Sequence, residues 1–487
     1  MRVILATFIL SLISHFASAQ EKINFIPAEV DFSQKIVDWD GFGFNYVEAA
    51  QHRDYLSNPQ DYGGFSLLSE AGKNEILELI FGKDGLQVQI IKMFLDPFHQ
   101  SEPGADFDHI TTTTNMMDFV ENGNQITEQR DDVLEIITTL YGPPAWATEQ
   151  KFIGGRDLDD SQANKLADYM IDWVTFLKER NLPVKYLSLH NEGEDFYRWD
   201  FEKGTQRLER FDYNLYWPPE QVNHFLKLMP DKLKQAKLTE VKMTNGEPSN
   251  WTRFYHWGYT DALYEDEQAL ESLGLLTTHG FINGDFRKLS YSLADEITTS
   301  KIREKKPQLH GWITSYSWGE MGTDFIKTAH EHIYSARVNA LIPWAGIQVP
   351  EVWIGGDPNP GTAIRVKQDG TFDVMQGYYF YKQLTRAGHR GMAVVKTILS
   401  NPVAFMVAFS SNGTSHPDAF VVTSNISIWS LPLKIRLQGT QSTRFKAFRS
   451  SEDGSEKYQE IGVFEVENGA IVYDPPKGTT TTFIAVN

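Results

Sequence analysis

Residues 169–194 read YMIDWVTFLKERNLPVKYLSLHNEGE. The first half continues a helical pattern that begins at a cap at Asp160/Ser161 and ends at Arg180. Its apolar residues fall on one stripe, formed by Leu166, Tyr169, Met170, Trp173, Val174 and Leu177. Pro183 then closes the turn into a predicted strand, VKYLSLHNE, at 184–192. A helix that leads through a short turn into a buried strand is typical of an α/β fold.

The same alternation of strand and helix recurs along the chain. Predicted strands lie at 40–46, 88–96, 133–142, 184–192, 240–247, 275–281, 310–317 and 339–346. Eight strands that alternate with helices over residues 39–387 predict a (β/α)8 TIM barrel. A doubly wound sheet is the alternative, but no glycine-rich phosphate fingerprint follows an early strand. In a barrel, polar residues just past the C-terminal end of each strand face the active site.

From residue 388 the pattern changes to short alternating strands joined by Gly, Ser and Asn turns. Residues 388–487 therefore predict a C-terminal all-β sandwich domain. The segment 20–38 precedes the barrel, and we expect it to add a strand to that sandwich. No low-complexity linker separates the two domains, which are therefore expected to pack tightly.

The first residues, MRVILATFILSLISHFASAQ, have a charged start, an apolar run and a small-residue cleavage site near Ala19. They predict a signal peptide over residues 1–19 and a secreted or periplasmic protein. The apolar run is interrupted by Ser11, Ser14 and His15, which argues against a membrane anchor, and no later stretch is long and apolar enough to span a bilayer. The chain has no cysteine, so its core has to hold the mature protein together without disulfides.

The net charge of −19 argues against nucleic acid and anionic membrane as partners, because both require a basic surface. The aromatic content of 13% suits a carbohydrate partner, since the C–H faces of sugars stack on aromatic rings. We expect a monomer. No metal or other cofactor is expected, because there is no cysteine and the pair His330 and His332 would lie on different faces of a predicted helix.

Cleavage of a glycosidic bond requires two carboxyl groups that flank the anomeric carbon. Glu192 is the best candidate for one of them, because it ends the predicted fourth barrel strand and follows Asn191. An Asn side chain in this position can hydrogen-bond a sugar hydroxyl while the Glu protonates the departing oxygen.

Several further segments resemble glycoside hydrolase family 30, a family of retaining enzymes in clan A. They are TTLYGPPAWAT at 138–148, the stretch at 169–194, TNGEPSNW at 244–251, YYFYKQLTRAGHRGMAVV at 378–395 and GTTTTFIAV at 478–486. The resemblance implies a barrel with a tightly attached sandwich. It also implies a retaining mechanism in which Glu192 is the acid/base and Asn191 its hydroxyl-binding neighbour.

The sequence departs from that resemblance at the seventh strand, where such enzymes carry an apolar-Thr-Glu-Tyr pattern and the Glu is the nucleophile. Ser315 stands at the matching position, between Thr314 and Tyr316. Three interpretations stay open. Glu320, which has glycines on both sides, folds back as the nucleophile; the protein is an inactive relative that binds glycans; or Ser315 is an introduced replacement of a native Glu.

Other residues at predicted strand ends are candidates for binding substrate. Trp146, Trp318 and Trp344 could stack on sugar rings. His279 and Tyr316 could bond a hydroxyl or the nucleophile, Ser315 could contact substrate, and Glu247 is the reserve carboxylate if Glu320 points away. The sequence thus predicts a secreted retaining glycoside hydrolase that acts on a β-linked glycan. The alternative is a catalytically inactive glycan-binding protein on the same fold.

Overall fold

The computed structural model describes residues 25–50, 61–207, 212–281, 298–316, 321–353, 361–399, 404–424 and 432–486. The predicted signal peptide, Trp318 and Glu320 lie outside the described residues. Strands and helices are numbered below along the chain.

Eight parallel strands close into a barrel in the order β2-β3-β4-β5-β8-β9-β10-β11. Their bounds are β2 Gly41–Asn45, β3 Ile90–Leu95, β4 Glu135–Leu140, β5 Val184–Ser188, β8 Lys242–Thr244, β9 Leu273–Thr278, β10 Gly311–Tyr316 and β11 Ala340–Pro343. Each overlaps one of the eight predicted strands, so the predicted (β/α)8 barrel is confirmed. Because all eight run in the same direction, their C-terminal ends meet at one face of the barrel.

The barrel interior is filled by side chains from several strands. The cluster contains Ile90, Ile137, Tyr186, Leu275, Trp312, Ala340 and Ile342. The rings of Tyr186 and Trp312 meet edge to face at 4.9 Å. The indole N–H of Trp312 donates to Asp40 at 2.7 Å, so this buried ring has its polar atom satisfied.

Helices surround the barrel. They are α1 Glu70–Phe81, α2 Thr114–Gln129, α3 Ala163–Glu179, α4 Pro219–Gln235, α5 Trp251–His256, α6 Tyr259–Glu265, α7 Glu267–Ser272, α8 over 298–305, α9 Thr323–Glu331 and α10 Gln376–Thr385. The whole predicted apolar stripe of α3 is buried, which explains why this helix packs where its sequence pattern indicates. Within the described part of the chain, none of the helices combines the length and the hydropathy that a bilayer crossing requires.

The second domain is a nine-stranded sheet in the order β20-β19-β22-β17-β16-β15-β1-β18-β21. Its strands are β1 Ile26–Asp38, β15 Ala393–Leu399, β16 Ala404–Ser410, β17 Ala419–Ser424, β18 Leu433–Gln438, β19 Arg444–Ser451, β20 Gln459–Glu465, β21 Ala470–Tyr473 and β22 Thr479–Ala485. Phe464 on β20 and Tyr473 on β21 meet edge to face at 5.8 Å, so the two edges of the sheet fold toward each other around a shared core. The predicted C-terminal β-sandwich is thus confirmed.

Strand β1 lies between β15, to which it is antiparallel, and β18, to which it is parallel. The chain therefore enters the sandwich before it forms the barrel. Tyr334 joins the two domains, because its hydroxyl donates to the Val395 carbonyl at 2.9 Å. Gln383 of α10 does the same by donating to the Ser450 hydroxyl at 2.8 Å.

Two short pieces of sheet in the described residues lie outside these two bodies. Strands β6 Trp199–Asp200 and β7 Thr205–Gln206 form a hairpin in the loop after β5. Strands β12 Ile347–Gln348, β13 Ile364–Val366 and β14 Phe372–Val374 form a small sheet after β11.

Candidate active site

The chain after β5 and the chain after β8 lie side by side at the C-terminal face of the barrel. The Glu192 amide donates to the Glu247 carbonyl at 2.8 Å, and the Glu247 amide donates to the His190 carbonyl at 2.8 Å. These bonds extend the parallel ladder beyond both strands. Two carboxylates from different strands are therefore fixed in the same region.

The position directly before Glu247 requires a glycine. Gly246 has a φ of +82°, and a Cβ at this position would lie 2.1 Å from the Nε2 atom of His190. The His190 ring in turn stacks on Trp217, with centroids 5.6 Å apart. Burial lowers the pKa of His190 to about 3, so this imidazole is neutral at physiological pH.

Glu192 has a left-handed backbone conformation, with a φ of 47°. Such a conformation is costly for a residue with a side chain, and it is common at functional sites. Its carboxylate is reached from two sides: Oε1 lies 3.0 Å from Nδ1 of His279, and Oε2 accepts a hydrogen bond from Arg198. Only 9% of Glu192 is exposed.

Glu247 is fully buried at the centre of this face. Its carboxylate forms an ion pair with Lys92 of β3. It also accepts hydrogen bonds from the hydroxyls of Thr139 on β4 and Thr314 on β10, the latter at 2.6 Å. Burial alone would raise the pKa of the Glu247 carboxyl, but the charge of Lys92 and the contact with His279 hold it well below its usual value.

His279 connects the two carboxylates. Its Nε2 atom lies 3.3 Å from Oε2 of Glu247, and its Nδ1 atom faces Glu192. Burial and the nearby charge of Lys92 lower the pKa of His279 to about 4, so the ring is neutral at neutral pH. A neutral imidazole has one N–H and one lone pair, and it can therefore donate to only one of the two carboxyl groups.

The seventh barrel strand presents a serine where the family resemblance expects a carboxylate. Ser315 is almost fully buried, and its neighbour Thr314 faces Glu247. A neutral hydroxyl cannot stabilise a positively charged anomeric carbon as a carboxylate does.

The structure does not bring Tyr316 into this group. The strand register shifts between Ile313 and Tyr316, and the Tyr316 ring then stacks on Phe325 of α9 at 4.5 Å. Its hydroxyl donates to the Phe325 carbonyl. The sequence predicts that the Tyr316 hydroxyl contacts a nucleophile or substrate. In the structure this hydroxyl donates to a backbone carbonyl instead.

The remaining predicted residues lie at the same face of the barrel. Asn191 precedes Glu192, and its backbone pairs with that of Glu247 as an isolated parallel β-bridge. Trp146 is half-buried and donates its indole N–H to the Gln100 carbonyl at 3.3 Å. Trp344 is buried and packs edge to face on Phe94 at 5.9 Å. The roles of both tryptophans in binding substrate stay predictions.

Two residues of the site were not foreseen from the sequence. Lys92 sits in the otherwise apolar strand IIKMFL, and a charged residue in a fully buried parallel strand is itself a signal that it has a buried partner. Arg198 lies in a loop, where nothing in the local sequence indicates that its guanidinium contacts Glu192 and Asp212. Among the described residues, no group of three or more His, Asp or Glu side chains is arranged to hold a metal ion.

No protein-family model matches this chain, and a comparison with curated proteins finds no match either. Solved structures do match. A family 30 endoxylanase from Clostridium papyrosolvens C71 is 15% identical, with 95% of this chain and 100% of that chain covered and a TM-score of 0.64. The chain has the fold of family 30 glycoside hydrolases.

Two further structures extend the comparison. An endo-β1,6-glucanase is 15% identical, with 95% of this chain and 94% of that chain covered and a TM-score of 0.67. A conserved exported protein from Bacteroides fragilis is 10% identical, with 94% of this chain and 100% of that chain covered and a TM-score of 0.70. At these identities the likeness concerns the fold, and the chemistry has to be argued from the site.

Proposed function

We propose that the protein is a secreted glycoside hydrolase that cleaves β-glycosidic bonds with retention of configuration. Glu192 is the general acid/base. The observation that carries this role is the position of Glu192 at the end of the fourth barrel strand, in a strained backbone conformation, with its carboxyl group against His279.

The surroundings of the Glu192 carboxyl support a role in proton transfer. Oε1 lies 3.0 Å from Nδ1 of His279, whose pKa is lowered to about 4 by burial and by the charge of Lys92. Oε2 accepts a hydrogen bond from Arg198. Both carboxyl oxygens are thus oriented by neighbouring side chains, as a group that transfers a proton at a fixed place requires.

Glu320 is proposed as the nucleophile. Glu247 is a poor alternative, because it is fully buried and its oxygens are engaged by Lys92, Thr139 and Thr314. In the first step Glu192 would protonate the departing oxygen while Glu320 bonds to the anomeric carbon. In the second, Glu192 would take a proton from the water that releases the sugar.

Azide rescue tests both roles in one experiment. With Glu192→Ala, azide should attack the glycosyl-enzyme and release a β-glycosyl azide. With Glu320→Ala it should displace the leaving group directly and give the α-anomer, which NMR distinguishes. Glu202→Gln, an exposed carboxylate in the same loop as Glu192, is the matched control and should retain full hydrolysis without azide. Absence of any rescue in an otherwise active enzyme would contradict both assignments.

A catalytically inactive glycan-binding protein is the second candidate, and Ser315 at the end of β10 is the observation that favours it. Incubation with plant and algal polysaccharides, followed by an assay for reducing ends, separates the two. Binding without release of reducing ends, unchanged by Glu192→Gln, would favour the binding protein. Hydrolysis that Glu192→Gln abolishes would exclude it.

A further inference from the structure

Four aromatic side chains lie together in the loop after β5 and at the end of α5. Phe196, Tyr197 and Phe201 come from the loop, and Trp257 follows α5. The Phe196 ring lies 4.3 Å from Tyr197, 4.9 Å from Trp257 and 6.2 Å from Phe201, centroid to centroid. We refer to these four residues as the aromatic platform.

The aromatic platform is open to solvent. Tyr197 is 55% exposed and Phe201 is 52% exposed. Phe25, directly before β1 of the sandwich, is 38% exposed and stands outside this cluster. Isolated exposed rings need no explanation, but a contiguous exposed cluster of aromatic rings marks a binding surface.

The aromatic platform is held firmly beside Glu192. Arg198, the residue after Tyr197, contacts the carboxylates of Glu192 and Asp212. Trp199 follows and is buried, with its indole N–H donating to the Gly154 carbonyl at 3.2 Å. Phe196, Tyr197 and Phe201 therefore lie on a short, anchored segment that begins four residues after the proposed acid/base.

The other side of the platform is tied to the same loop by Arg253. Its guanidinium lies over the Trp257 ring at 4.9 Å from the centroid. The same group contacts Asp195 at 3.1 Å and the Ser249 hydroxyl at 2.9 Å. The aromatic platform is thus preorganised. The positive charge of Arg253 beside it is already engaged by Asp195 and Ser249.

We propose that the aromatic platform is a sugar-binding subsite that stacks a pyranose ring on the leaving-group side of the cleaved bond. This inference rests on the proposed function. The departing oxygen has to lie within hydrogen-bond reach of the Glu192 carboxyl. Oε1 of Glu192 faces His279, whereas Oε2 accepts from Arg198, the residue that follows Tyr197 of the platform. A leaving glycan that lies on the Arg198 side of the Glu192 carboxyl would therefore meet the platform.

The chemistry of the rings fits a pyranose ring. Its C–H face is apolar and flat enough to lie on an aromatic ring, while its hydroxyls stay in water at the edge. The stacking area of the rings, and not the hydroxyl of Tyr197, then provides the binding free energy for the sugar. A charged partner is disfavoured, because Arg253 and Arg198 are already paired with carboxylates.

Kinetics on two kinds of substrate test the subsite. The probes are a xylose tetramer and a β-1,6-linked glucose tetramer, each compared with the corresponding β-glycosyl fluoride, whose leaving group has no ring to stack. For the double variant Tyr197→Ala/Trp257→Ala, the ratio of kcat/KM for the tetramer to kcat/KM for the fluoride should fall about tenfold. Tyr197→Phe should retain the wild-type ratio, and so should the matched control Phe25→Ala. An unchanged ratio in the double variant would overturn the inference.

Binding separates this inference from the proposed function. Affinity electrophoresis through gels that contain xylan or β-1,6-glucan needs no hydrolysis. If the wild type binds a glycan without cleaving it and the double variant loses retardation, the subsite stands and the hydrolase proposal fails. If the wild type cleaves and the double variant cleaves and binds equally well, the subsite is wrong and the hydrolase proposal stands. A double variant that changes only the oligomeric state would show a surface for a second copy and would also overturn the subsite.

Discussion

Nδ1 of His279 lies 3.0 Å from Oε1 of Glu192, and Nε2 of the same ring lies 3.3 Å from Oε2 of Glu247. One imidazole thus links the proposed acid/base to the fully buried carboxylate of Glu247. Since burial and Lys92 keep this ring neutral, it can orient both groups without adding a positive charge between them.

Replacement of His279 tests this link. His279→Phe keeps an aromatic ring but removes both nitrogens, so Glu192 loses the nitrogen that lies 3.0 Å from its Oε1. We expect kcat/KM to fall on the order of a hundredfold, with an altered pH–rate profile. His256→Phe, at an exposed position on α5, is the control and should leave both unchanged. Wild-type kinetics for His279→Phe would show that the ring only fills space.

The ion pair between Lys92 and Glu247 predicts a large stability effect. Lys92→Met leaves a carboxylate buried and unpaired, which costs about 3–5 kcal/mol. The urea midpoint should fall accordingly, and Lys92→Met/Glu247→Gln should recover much of the loss because no unpaired charge remains. Lys185→Met breaks a partly exposed pair with Glu135 and should cost less than about 1 kcal/mol. Equal losses for the two single variants would contradict this account of the core.

Much of this arrangement could be predicted from the sequence, because strand ends in a parallel barrel are local features. The helix at 163–179, the turn at Pro183 and the strand that ends before Glu192 all follow from periodicity and turn chemistry. The pairing of Lys92 with Glu247 joins residues 155 positions apart, and no local pattern specifies which charged residue meets which. Periodicity also could not place Tyr316, because a register shift inside β10 turns its ring toward α9.

The pH dependence of stability follows from the buried histidines. Burial lowers the pKa of His332 to about 3, well below the usual value of about 6.5. As the pH falls from 6.5 toward 3, the unfolded chain takes up a proton that the folded chain does not. Stability therefore falls, by about 1.4 kcal/mol per pH unit for each such histidine.

His332→Gln isolates this contribution, since the amide can still donate to the Gly280 carbonyl that lies 3.2 Å from Nε2. The slope of the unfolding free energy against pH should decrease by about 1.4 kcal/mol per pH unit between pH 4 and 6. Urea unfolding at a series of pH values measures it. If the variant keeps the wild-type slope, His332 does not stay neutral in the folded protein over this range.

Ser315→Glu distinguishes a displaced nucleophile from a lost one. If Glu320 attacks the anomeric carbon, a second carboxylate at the almost fully buried Ser315 position adds crowding and a buried charge to β10, and activity should decrease. The rate of release of reducing ends measures it, with Ser315→Ala as the control for loss of the hydroxyl. An increase of about tenfold or more for Ser315→Glu would mean that the serine stands where a nucleophilic carboxylate belongs.

Glu192 as the acid/base and Glu320 as the nucleophile form the proposed two-carboxylate mechanism. Incubation with 2-deoxy-2-fluoro-β-xylosyl fluoride and its glucosyl analogue should trap the covalent glycosyl-enzyme, because the fluorine at C2 slows its hydrolysis. Peptide mapping by mass spectrometry should then find the sugar on Glu320 in wild type and none on the Glu320→Gln variant. A label on Glu247, or an active enzyme that forms no label and releases inverted product, would contradict the account.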